Sequence, residues 1–96
     1  MDRNVFEIAD VTPVLPSTWL VQGRAYKSIQ VGDTVAAEVA TSPETKELLH
    51  FRIIAATTYG ELVPGLDEGL TGGLTLQGDH EQYSKQLRKA KFLITQ

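Results

Sequence analysis

No cysteine occurs anywhere in the 96 residues. Disulfides, thiolate metal ligands and cysteine nucleophiles are therefore excluded, and the chain suits a reducing compartment. Histidine is nearly as scarce. His50 and His80 lack partners at metal-ligand spacing, and an HExxH motif starting at His80 would need a second histidine where Ser84 stands. No serine sits in a G-x-S-x-G context, so nucleophile-elbow hydrolysis has no footing. The phosphate-cradling pattern G-x-x-x-x-G-K-[ST] is missing too, which removes nucleotide hydrolysis. Asp67-Glu68 is an acid pair, but it lies between glycines and reads as solvated loop charge rather than a general acid–base couple. No catalytic residue, cofactor or metal site is expected.

Long apolar runs are also lacking. Nothing approaches the ~20 apolar residues of a membrane-spanning helix. The stretch Met1 to Glu7 has neither the basic segment nor the apolar core of a signal peptide. A cytoplasmic protein is the expectation. Nine basic residues against twelve acidic ones leave a formal charge of −3. That balance argues against strong non-specific attraction to nucleic acid but leaves room for a local basic patch.

What remains is β-type composition in short runs punctuated by Pro and Gly. A chain of this length makes one domain, residues 1–96, which buries roughly 60–65% of its unfolded surface. Val5 to Val11 reads as a first strand ended by Pro13 and Pro16. Thr18 to Tyr26 reads as a second, rich in β-branched and aromatic residues. Gln30-Val31-Gly32-Asp33 is a turn, with Gly32 available for a positive φ. Thr34 to Val39 feeds an exposed polar hairpin tip at Thr41 to Glu47. Leu49 to Thr58 is the longest strand, with Phe51, Ile53 and Ala55 on one parity and Arg52 on the other.

Six glycines and prolines between residues 60 and 73 break regular structure there. Gly73 to Gln77 alternates as a strand. Asp79 and Gln82 form a capping-box pattern for one short helix over about His80 to Lys89, and Phe92-Leu93-Ile94 closes the chain as a last strand. Several short strands with short connections point to an all-β barrel or sandwich.

Five motifs in this order resemble a known family. They are Phe6 to Val11 with its Asp10-Val11 pair, Val21-Gln22-Gly23-Arg24, Val31-Gly32-Asp33-Thr34-Val35, Glu68-Gly69 through Gly73-Leu74-Thr75-Leu76-Gln77-Gly78, and Leu87 to Leu93 with Ala90 where glycine is usual. Tyr59 falls where the family has an aromatic. Together they look like the second domain of translational GTPases such as elongation factor Tu. The likeness covers residues 6 to about 94, although the Gly23 to Gly32 interval is one residue shorter here. It implies a six-stranded Greek-key β-barrel without the GTPase domain. In elongation factor Tu this barrel helps hold the aminoacylated 3′ end of tRNA. It does so through a Glu-Asp pair, an Arg and an Asn, whose places fall here at Ala9-Asp10, Gly60 and Thr71. Only Asp10 keeps its chemistry, so tRNA binding in that manner is not expected.

Two further features suit a binding surface. Lys85, Arg88, Lys89 and Lys91 place four of the nine basic residues within seven positions. On a helix the first three share one face, suited either to RNA phosphates or to plain solvation. Trp19, Tyr26 and Tyr59 could fill the core or form a stacking platform. The expectation is a non-enzymatic binding module, an adaptor or regulator with a protein partner and a link to translation. The alternative is an RNA-binding module using the basic cluster. The candidate contact residues are Asp10, Tyr59, Thr71, Lys85, Arg88, Lys89 and Lys91.

Overall fold

The computed structural model describes residues 4–40, 44, 46–78 and 89–95. Within them the chain forms β1 (Asn4–Leu15), β2 (Thr18–Ala25), β3 (Ile29–Gln30), β4 (Thr34–Ala40), β5 (Lys46–Thr58), β6 (Glu61–Val63), β7 (Gly65–Leu66), β8 (Thr71–Gln77) and β9 (Phe92–Thr95). Six of these run β4-β9-β1-β2-β8-β5 in the sheet, and pairing of β4 with β5 closes the circle. The fold is a closed, six-strand, antiparallel β-barrel. β6 extends the sheet beyond β5, while β3 and β7 pair separately.

Period-two alternation puts one face of each strand into the barrel. Phe6, Val11, Trp19, Val21, Leu49, Phe51, Ile53, Leu74, Leu76 and Leu93 are all buried and form one cluster. A barrel of so few strands has no lumen, because the side chains fill it. Within it Trp19 meets Phe51 edge-on, with ring centroids 5.6 Å apart and an interplanar angle of 85°. Tyr26 is half-buried against Phe92, at 5.9 Å. Tyr59 stands in solvent, 94% exposed. The three aromatics therefore divide between core, rim and surface, and no shared platform forms.

Three sequence expectations need correcting. β1 does not stop at Pro13 but continues to Leu15. Its pairing with β9 ends at Glu7, so Pro13 faces only β2 and its missing N–H interrupts no second ladder. The reversal falls at Pro16-Ser17, with Ser17 at φ 61°. On β5 the inward parity changes: a bulge between Ile53 and Ala55 makes Ala56 the buried residue, with Ala55 half-exposed and Ile54 turned out. The segment expected to be irregular contains β6 and β7.

The expected helix over about His80 to Lys89 lies outside the described residues except at its end, where Lys89 and Ala90 have helical backbone. No complete helix lies among the described residues. The β4–β5 hairpin forms as expected, pairing Ala40 with Lys46. Most of its polar tip is outside the described residues.

Candidate functional site

The turn after β3 is fixed by its own polar groups. Gln30 N donates to Asp33 Oδ2 at 2.9 Å, and Asp33 N donates back to Gln30 O at 3.1 Å. Gly32, at φ 99°, donates to Ile53 O, and Ile53 N donates to Asp33 O. These bonds pin the turn to β5 directly before its bulge. On the other side, β5 reverses through Tyr59-Gly60. Both residues have positive φ, 52° and 77°, the signature of a two-residue type I′ hairpin turn. β6 then pairs with β5 through Thr58↔Glu61, Thr57↔Leu62 and Ala56↔Val63. Past Val63 the chain bends at Pro64, whose carbonyl accepts from Val31 N at 2.9 Å, and continues as β7 against β3.

The result is a groove of about 950 Å³ between β3, β5, β6 and β7. Buried Ile29 and Leu66 line its base, and Val31, Ile54, Leu62, Val63 and Pro64 line its walls. Several wall residues are large apolar side chains left in water: Leu62 is 79% exposed, and Ile54 and Val31 are each 42% exposed. Asp67 is the one charged residue in the lining. Glu61, at the start of β6, and Glu68, beside Asp67 in the chain, are both exposed. Val14 and Leu15, at the β1–β2 hairpin tip, form a second exposed apolar pair.

Of the residues expected from the sequence, Asp10, Thr71, Lys89 and Lys91 lie on the exposed surface away from the groove, and Tyr59 stands in the β5–β6 turn. Asp10 is exposed on β1 opposite Gln22. Thr71 is exposed on β8 opposite Arg24. Tyr59 is close to Thr71, because the neighbouring Thr58 Oγ1 donates to Thr71 O at 3.0 Å. Lys89 and Lys91 are exposed ahead of β9, where Ile8 N donates to Lys91 O at 2.6 Å. Lys85 and Arg88 lie outside the described residues.

The cross-strand register runs Phe92↔Glu7↔Arg24↔Thr71. With strands ~4.8 Å apart, Lys91 and Thr71 stand at opposite ends of a row about 14 Å wide. The structure thus brings Asp10 near Lys91 on one side and Tyr59 near Thr71 on the other.

Arg24, exposed at the middle of that row, was not singled out from the sequence. Its signal was its parity: polar Gln22 shares its face, while Val21, Gly23 and Ala25 point inward. Val31, Ile54 and Leu62 are not among the candidates either: Val31 falls in the expected turn, Ile54 in the longest expected strand and Leu62 in the segment expected to be irregular, and none of these placements marks an exposed apolar residue. Among the described residues, no three of His, Asp and Glu gather into a metal-holding group. No protein-family model, no curated protein and no solved structure matches this chain.

Proposed function

We propose that this chain is a non-enzymatic protein-interaction module, an adaptor or regulator, and that it holds its partner in the apolar groove. The observation behind this reading is the concave cluster of Ile54, Leu62 and Val31, large apolar side chains kept in water beside a barrel that has otherwise buried its core. Contiguous exposed apolar surface of this kind marks contact sites. Covering a Leu or Ile side chain contributes about 1.5–3 kcal/mol. Among the described residues Asp67 is the only titratable group in the lining, so the groove offers binding rather than paired acid–base chemistry.

The motif likeness to the second domain of translational GTPases supplies the rest of the proposal. It adds Greek-key strand connections and a cytoplasmic role beside the translation machinery.

The test is selection of random displayed peptides on the intact chain, with binders mapped by amide chemical shifts. Binders that shift Val31, Ile54 and Leu62 and fail against Leu62→Asp are expected. Well-folded bait that yields no groove binder would overturn the reading.

A second reading has one favouring observation: Lys89, Lys91 and Arg24 are all exposed around the outer row that includes Glu7 and Thr71. RNA bound there would shift the amides of these residues when a single-stranded RNA ending in CCA is added. Its affinity would fall steeply with salt. An unchanged spectrum would exclude it.

A further inference from the structure

Resting on the interaction reading, we infer that the groove receives an extended segment of the protein partner, added as a strand along β6. An apolar residue of that segment enters the groove, and a lysine or arginine faces Glu61. The inference comes from where the backbone groups of β6 point. In a two-residue hairpin the pair flanking the turn exchanges both hydrogen bonds, and the next pair exchanges none. Thr58↔Glu61 flanks the turn, so Thr57↔Leu62 is the non-bonded pair and Ala56↔Val63 is again bonded. Leu62 therefore turns its N–H and C=O away from β5. β6 ends its sheet, and among the described residues no turn or loop group hydrogen-bonds to Leu62. One donor and one acceptor stand at an open edge beside the apolar groove.

An incoming antiparallel strand satisfies both groups with a single residue, the basis of recognition by strand addition. Its preceding residue then lies opposite Val63 and its following residue opposite Glu61. Both share the face of β6 to which groove-lining Val63 belongs. The first position calls for an apolar side chain. The second calls for a cation, because exposed Glu61 lies directly across. Opposite charges across a strand pair stabilise it, and like charges repel. No Lys, Arg or His lines the groove to reverse that preference. The recognised pattern is apolar–x–Lys/Arg, read from N- to C-terminus, with x an apolar residue that covers exposed Leu62 on the other face of β6. With only three residues before Pro64, β6 accepts a short segment and offers little to indiscriminate edge pairing.

The experiment uses random nonapeptides selected on the intact chain, followed by three changes to the tightest one. N-methylation of the central x residue removes the donor that meets Leu62 O and is expected to weaken binding at least tenfold. N-methylation of the preceding apolar residue, whose N–H points away, leaves affinity within threefold. Replacing the cation by Glu costs at least tenfold against the wild-type chain and is rescued by Glu61→Lys. Methylation effects that do not alternate, or charge reversal without consequence, would overturn strand addition while groove binding itself stood. Sedimentation showing that a second copy occupies the β6 edge would also overturn it. A selection that yields no groove binder at all refutes the underlying interaction reading instead.

Discussion

Gly23 lies on β2 where β1 crosses it most closely, just before the bulge at Ala9. A methyl group added there would sit on the Glu7 carbonyl oxygen and 3.1 Å from Phe6 Cε1. Neither neighbour can yield cheaply, since one is strand backbone and the other belongs to a fully buried ring. Overpacking against side chains costs about 1–3 kcal/mol. Here β1 must also retreat, which strains ladder hydrogen bonds worth about 1 kcal/mol each.

Gly23→Ala is therefore expected to destabilise by about 3–4 kcal/mol, a large share of the ~5–14 kcal/mol that holds a domain of this length. The corresponding fall in Tm is about 12–30 °C. Urea unfolding followed through Trp19, the sole tryptophan, measures the loss directly. Gly32→Ala is the control: nothing stands near its added methyl, and only its φ of 99° penalises alanine, by about 1–2 kcal/mol. A Gly23→Ala protein no less stable than Gly32→Ala would refute the reasoning.

Trp19→Ala removes the largest buried side chain and its edge contact with Phe51, and should cost about 3–5 kcal/mol in denaturant unfolding followed by circular dichroism. A loss under 1 kcal/mol would place Trp19 outside the core. Tyr59→Asn keeps the positive-φ turn with a residue better suited to it and gives up almost no packing, so thermal melts should show a gain of about 0.5–1 kcal/mol. Destabilisation would mean that the ring makes contacts its exposure does not suggest. Leu62→Asp should leave stability within about 0.5 kcal/mol of wild type, as expected for a surface position, while peptide binding is lost.

The barrel strands were legible because their local signals agree: β-branched and aromatic residues on β2, alternation on β8 and the Gly32 turn all point one way. The errors have local causes. Pro13 breaks a strand only where a second neighbour needs its N–H, and whether β9 reaches that far is a matter of long-range pairing. The bulge at Ile54 shifts the inward residue from Ala55 to Ala56, and no pattern in the sequence marks it.

The groove was invisible for a related reason. Leu62-Val63-Pro64 falls in a segment that its glycines and prolines mark as irregular. Its exposure follows from β6 leaving the barrel after the Tyr59-Gly60 turn and from the β3–β7 pair covering only part of what lies beneath. Of the candidate contact residues, Asp10, Tyr59, Thr71, Lys89 and Lys91 are exposed, yet they ring a polar face rather than the concave one.

The most direct test of the groove is a methyl chemical-shift titration of the labelled chain with the tightest selected peptide. Saturable shifts at Val31, Ile54, Leu62 and Val63, with the exposed methyls of Val14 and Leu15 unmoved, are the expected result. Shifts at Val14 and Leu15 with a silent groove would contradict it and move the interaction site to the β1–β2 hairpin tip.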